Sequence, residues 1–141
     1  MSQVEVAIAI LHRNRQFLMQ LRDDIPGIVY PGHWGLFGGH IEPGENSDIA
    51  VRRELLEEIG YAPPRLTKVG YYDNPHVIRH VYEGALTVDP SELVLMEGWD
   101  MDLLTPDDIR RGDRYSVRAA QVRPLAKPPQ QILLSFISQQ L

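Results

Sequence analysis

The stretch GHIEPGENSDIAVRRELLEEIGY, Gly39 to Tyr61, holds a glycine-rich entry, a helix with readable ends and an acidic cluster near its close. Asn46 or Ser47 can cap a helix that runs to Ile59 and stops at Gly60, and Pro63 and Pro64 prevent its resumption. Glu54, Glu57 and Glu58 stand at i, i+3 and i+4, which puts three carboxylates on one face. Val51, Leu55 and Ile59 fall on a neighbouring face. One stripe can therefore pack on a sheet while the other presents converging acids beside the glycine-rich loop.

A solvated acidic face is the ordinary meaning of such a run, but energetics count against it. Like charges at these spacings cost about 0.2–0.5 kcal/mol per pair, and acids in a last turn oppose the helix dipole by about 0.3–1 kcal/mol. Local rules favour Lys or Arg before Gly60, so glutamates there are stability given up for function. Arg52 and Arg53 offset part of that charge. The chain has no cysteine, which removes a zinc–thiolate site, a disulfide framework and a thiol nucleophile. Three clustered carboxylates then describe a hard, oxygen-rich site suited to Mg²⁺ or Mn²⁺.

Outward from this helix, Val4, Val6, Ile8 and Ile10 alternate with Glu5, Ala7 and Ala9, and Gln16 to Arg22 follows a polar turn around HRNR, so the pair reads as a β-hairpin. Asp23 to Glu45 is rich in Gly and Pro around a short apolar strand, WGLF; Trp34 and Phe37 inside it argue against disorder and are expected in the core. Leu66–Tyr72, Val77–Val88 and Val94–Trp99 read as strands bounded by Gly, Pro, Asn or Asp. TPDDIRRG offers Thr105 as cap, Pro106 in the first turn, Asp108 in capping-box position and Gly112 as terminator of a short helix. After Pro128 and Pro129, Leu133, Phe136, Ile137 and Leu141 share one face of a C-terminal amphipathic helix. His33, His40, His76 and His80 lack zinc-like spacing and are expected at the surface or hydrogen-bonded.

A length of 141 residues with 43% hydrophobic and 23% charged residues suits a single domain over 1–141, a mixed sheet packed between helices. The formal net charge of −5 provides no basic footprint for nucleic acid and repels both an anionic membrane and a phosphate-bearing substrate, so a phosphate substrate would need a cation. The N-terminus lacks a basic leader and no run approaches membrane-spanning length, which makes the cytoplasm the expected compartment.

Gly39 to Tyr61 resembles the Nudix box: Gly, five residues, Glu, seven residues, then Arg-Glu-aliphatic-any-Glu-Glu-any-Gly-aliphatic. Gly39, Glu45, Arg53, Glu54, Leu55, Glu57, Glu58 and Gly60 all match; Tyr61 replaces the aliphatic residue, and Phe37 stands where many such sequences carry Pro. The resemblance implies an α/β/α sandwich and a hydrolase that cleaves a diphosphate linkage in a nucleoside diphosphate derivative, by water attack at phosphorus with a divalent metal. It implies that Glu54, Glu57 and Glu58 ligate the metal, with the Gly38 carbonyl as a further ligand, and that Glu54 or Glu57 is the general base. Arg53 would orient a box carboxylate with support from Glu45, and Gly39 and Gly60 would serve the backbone. Glu97, before the GWD segment, resembles an extra loop acid, and Arg22 resembles a phosphate-facing arginine. A nucleoside triphosphate or nucleotide sugar is the expected substrate, with an ADP-ribose-like compound or dinucleotide as runner-up, for a monomer or homodimer. A nucleotide sensor of the same fold has no use for three mutually repelling glutamates, and a merely acidic structural domain does not explain the paired glycines or Arg53.

Overall fold

Strand β1 (Val4–Arg13) carries the alternation expected of it, yet Ala7 and the consecutive Ala9, Ile10 and Leu11 are all fully buried, so both of its faces are covered over Ala9–Leu11. The structure, a computed structural model, describes residues 3–139. Two compact units divide the chain, one of Met1–Arg13 with Phe37–Met96 and the other of Asn14–Leu36 with Glu97–Leu141.

In the first unit β1 lies between two neighbours. It pairs antiparallel with β4 (Phe37–His40), from Val6 opposite His40 to Ala9 opposite Phe37. It pairs parallel with β6 (Val77–Ala85), from Val4 opposite Val77 to His12 opposite Ala85. β5 (Thr67–Asp73) adds antiparallel to β6, with a bulge between Lys68 and Gly70. Helix α1 (Ser47–Ile59) packs on β1 and β4 through Ala50, Val51, Leu55 and Ile59, each at most 1% exposed. Val51, Leu55 and Ile59 are the apolar positions the helical period assigns to its inward stripe, with Ala50 beside them, and the small Ala7 and Ala9 leave room for a helix over β1.

In the second unit β2 (Gln16–Leu21) pairs antiparallel with β3 (Trp34–Gly35) and with β7 (Asp100–Leu104). The turn before β2 holds Asn14 and Arg15 at φ 51° and 61°, the left-handed pair that a two-residue strand connection of type I′ requires. Helix α2 (Pro106–Arg111) has the expected Thr105 cap, Asp108 capping box and left-handed Gly112. Helix α3 (Lys127–Gln139) packs against α2 and buries Ile132, Leu133, Phe136 and Ile137, with Phe136 edge-on to Phe17 at 6.2 Å. Leu141, expected on the same face, lies outside the described residues. Among the described residues no helix is long and apolar enough to cross a membrane.

Two sequence expectations need correction, and one hairpin goes unread in the sequence. Val94–Trp99 is not a strand: the N–H groups of Val94 and Met96 bond the helix-end carbonyls of Ile59 and Glu58, at 3.4 and 2.9 Å, and the strand of this region is β7, which starts at Asp100. WGLF is not one strand but two, β3 and β4, broken at Leu36. The chain between α2 and α3 also forms an unanticipated hairpin of β8 (Asp113–Ser116) and β9 (Gln121–Pro124), whose turn carries Ala120 at φ 56° in place of the Gly or Asn that marks such turns. Trp34 and Phe37 are fully buried, as expected for core aromatics.

Candidate active site

Helix α1 is begun by Asn46, whose side chain accepts from the Ile49 N–H at 2.9 Å, and is closed by Gly60 at φ 67° with its N–H on the Leu56 carbonyl. Its last turn contains no basic residue. The acids there meet a single guanidinium placed one turn earlier. Arg53 grips Glu45 with a two-pronged fork, Nε to Oε2 at 2.6 Å and Nη2 to Oε1 at 3.0 Å. The same group donates to Glu54 at 3.0 Å, to both oxygens of Glu57 at 3.2 and 3.3 Å, and to the His40 carbonyl at 3.1 Å. Its hydrogen bonds to Glu45 above all, with those to Glu54 and Glu57, outweigh burial and push the guanidinium further toward the charged state. In turn the Arg53 bond, and then the Glu42 N–H, hold the Glu45 carboxyl below the ordinary glutamate range.

Glu58 is placed differently. It is buried at 6% exposure and accepts the Gly38 N–H at 2.9 Å, so it ties the end of α1 to β4. Gly38 has φ 143°, and a Cβ there would lie 2.2 Å from the Ala7 carbonyl oxygen, a conformation and an approach that only glycine allows. Gly39 is needed for another reason: a Cβ on it would sit 2.6 Å from the Glu54 carboxylate, so the acid rests directly against bare backbone. At the opposite end of α1, the buried Tyr82 of β6 donates its hydroxyl to Asp48 and lies 2.6 Å from the Ser47 hydroxyl. Burial first, then the Asp48 carboxylate, raises the Tyr82 phenol above its ordinary value of 10.0, which keeps it a donor.

The structure thus brings Gly38, Gly39, Glu45, Arg53, Glu54, Glu57, Glu58 and Gly60 together in the first unit. Arg22 and Glu97 belong to the second. Glu97 is exposed. Arg22 follows β2 with its N–H on the His33 carbonyl at 3.0 Å, and its Nε is buried without a hydrogen-bond partner. The histidines sit as expected: His33 bonds the Pro31 carbonyl and His80 bonds Glu5. The Tyr82 contacts were not legible beforehand, because a tyrosine in an apolar strand and an aspartate in a helix's first turn each have an ordinary local explanation.

Among the described residues no three His, Cys, Asp or Glu side chains are already gathered as a metal cage. The donor set nonetheless fits a hard cation. All the candidate groups are oxygens, and magnesium keeps several waters and needs only one or two carboxylates beside substrate phosphates. Glu57 is well exposed to take part, with a side chain 59% accessible.

A family model described as NUDIX domain matches residues 1–127. Among curated proteins, the chain is 34% identical over 82 residues to a candidate 8-oxo-dGTP diphosphatase of Bacillus subtilis (strain 168), covering 57% of this chain and 51% of that one. It is 40% identical over 60 residues to the nucleoside triphosphatase NudI of Enterobacter sp. (strain 638), covering 43% and 42%. The chain spans about half the length of the curated relatives it matches. Among solved structures, a MutT NUDIX hydrolase from Burkholderia pseudomallei superposes with a TM-score of 0.73 at 22% identity, over 94% of this chain and 97% of that one. The NUDIX domain of Shewanella oneidensis NrtR, complexed with ADP ribose, gives a TM-score of 0.74 at 19% identity, over 100% and 90%. At such identities the likeness speaks for the fold, the α/β/α class with a mixed sheet expected from the sequence.

Proposed function

This chain belongs to the NUDIX domain family, and from that premise we propose that it is a divalent-metal-dependent pyrophosphohydrolase acting on a nucleoside diphosphate derivative, a nucleoside triphosphate or a nucleotide sugar. The observation that carries this reading is the Arg53 hub. One guanidinium holds Glu45, Glu54 and Glu57 beside the His40 carbonyl while Glu58 is fastened to Gly38, so the acids are oriented and not loosely solvated.

In this reading Glu54, Glu57 and Glu58, with the Gly38 carbonyl and the more distant-in-sequence Glu97, are the groups that hold Mg²⁺ or Mn²⁺. When bound, such an ion neutralises charge on the phosphates and makes water more acidic. Glu54 or Glu57 accepts the proton of the water that attacks phosphorus. Arg53 keeps both carboxylates aimed, and the fork on Glu45 keeps Arg53 in place. Arg22, whose Nε lacks a partner, is the arginine proposed to meet a phosphate oxygen. The chain acts as one Nudix domain, a cytoplasmic monomer or homodimer, and engages neither nucleic acid nor membrane.

The test is a panel of nucleotides incubated with purified protein and Mg²⁺, scoring phosphate and pyrophosphate release. Turnover of a nucleoside triphosphate or nucleotide sugar is expected; no release from any compound would overturn the hydrolase reading. A second reading, hydrolysis of ADP-ribose-like or dinucleotide substrates, is favoured by the ADP ribose in the NrtR domain, and the same panel separates it. Binding of ADP-ribose without release would point instead to a nucleotide-sensing module.

A further inference from the structure

Helix α1 rests over β1, and β1 has β4 on one side and β6 on the other. Most ties that orient the acids run to the β4 side. Glu58 takes the Gly38 N–H, Arg53 reaches the His40 carbonyl, and Glu54 lies against Gly39. A helix held along one edge can still roll about its axis. On the β6 side the Tyr82 ring is only 2% exposed, and its hydroxyl donates to Asp48 while standing 2.6 Å from the Ser47 hydroxyl, which is left to donate to it.

We infer that Tyr82, through Asp48 and Ser47, is a positioning residue that fixes the rotation of α1 and thereby the placement of the Glu54, Glu57 and Glu58 carboxylates; as a statement about catalysis this rests on the hydrolase reading above. At the roughly 5–6 Å radius of helix side chains, a roll of about 10° moves a carboxylate by ~1 Å. A displacement of ~1 Å at a reacting centre costs on the order of a hundredfold in rate. Tyr82 touches neither substrate nor reacting atoms; it acts through the helix.

Tyr82→Phe keeps the buried ring and removes the hydroxyl. The exposed Asp48 supplies a second variant, Asp48→Ala, which breaks the same link without touching the core. Both are examined as the full chain by calorimetric titration with Mn²⁺ in the absence of nucleotide, and by steady-state kinetics with Mg²⁺ and the substrate found by the panel. The expected result for each is a weakening of Mn²⁺ binding by about tenfold or more and a comparable fall in kcat, with KM within about twofold of the wild type. If either variant melts lower yet keeps wild-type Mn²⁺ affinity and kcat, the link is structural only and the inference is overturned. Should Tyr82→Phe fail to fold, Asp48→Ala decides the matter alone. Absence of turnover in the wild type would sink the hydrolase reading, whereas the Mn²⁺ titration would still judge the role of Tyr82.

Discussion

At the scale of single residues, the two glycines at the start of the box do different work, and substitution tells them apart. At Gly39 an added Cβ would press on the end of the Glu54 side chain, which can swing aside, so Gly39→Ala should leave the melting temperature nearly unchanged. The displaced carboxylate should lower kcat/KM by about a hundredfold. At Gly38 the added atom would meet the Ala7 carbonyl oxygen with φ at 143°, and Gly38→Ala should destabilise by about 1–3 kcal/mol. A Gly39→Ala protein with full activity would show that Glu54 does not need its present place. Spacing made the acids legible, because i, i+3 and i+4 are local relations that any helix enforces. What spacing could not convey is that the three are unequal. Glu57 is exposed and shared with Arg53, while Glu58 is buried on the Gly38 N–H, a partner 20 residues away.

At the scale of elements, the helices were readable because their ends are written in nearby residues: Asn46 and Gly60 for α1, Thr105, Asp108 and Gly112 for α2. The segment from Val94 to Trp99 has the composition of a strand but spends its Val94 and Met96 N–H groups on carbonyls of α1, which no local rule reveals. The β8–β9 hairpin was hidden by its Ala120 turn. Asp108 shows how much one capping residue can gather. It accepts from the Thr105 N–H at 2.9 Å, from Arg111 at 2.6 Å and from Arg114 at 2.9 Å while only 6% exposed. Burial alone would raise its carboxyl; the Thr105 N–H and the two arginines prevail and hold it below the ordinary 3.8. Asp108→Ala should therefore cost about 1.5–3 kcal/mol in urea unfolding near pH 7. Because the folded-state value is the lower one, this contribution is complete above the unfolded value and is lost as pH falls through the folded value. The gap between wild type and variant should accordingly shrink toward about pH 2. A gap of full size at that pH would mean that the carboxylate charge contributes nothing and that the side chain acts by packing.

At the scale of the whole molecule, a net charge of −5 and a helix that ends on acids leave the protein poorly suited to bind a polyphosphate by itself. Arg53 balances part of the acidic face, but its five donors are already spread over Glu45, Glu54, Glu57 and a carbonyl. A cation that joins Glu57 and its neighbours would relieve repulsion that the folded chain carries and the unfolded chain does not. Binding to the native state alone must then raise stability, by about 2.7 kcal/mol at a hundred times the dissociation constant. For a chain of this length that amounts to several degrees in melting temperature. We therefore expect saturating Mg²⁺ or Mn²⁺ to raise the melting temperature relative to EDTA, and turnover to vanish in EDTA and return when the metal is restored. The source of the effect can be located, because Glu57→Gln removes one of the repelling charges. In EDTA this variant should melt at or slightly above the wild-type temperature, and its gain from metal should be smaller. The same melt gain in wild type and Glu57→Gln would place the bound ion elsewhere, and full turnover in metal-free buffer would remove the ion from the mechanism altogether.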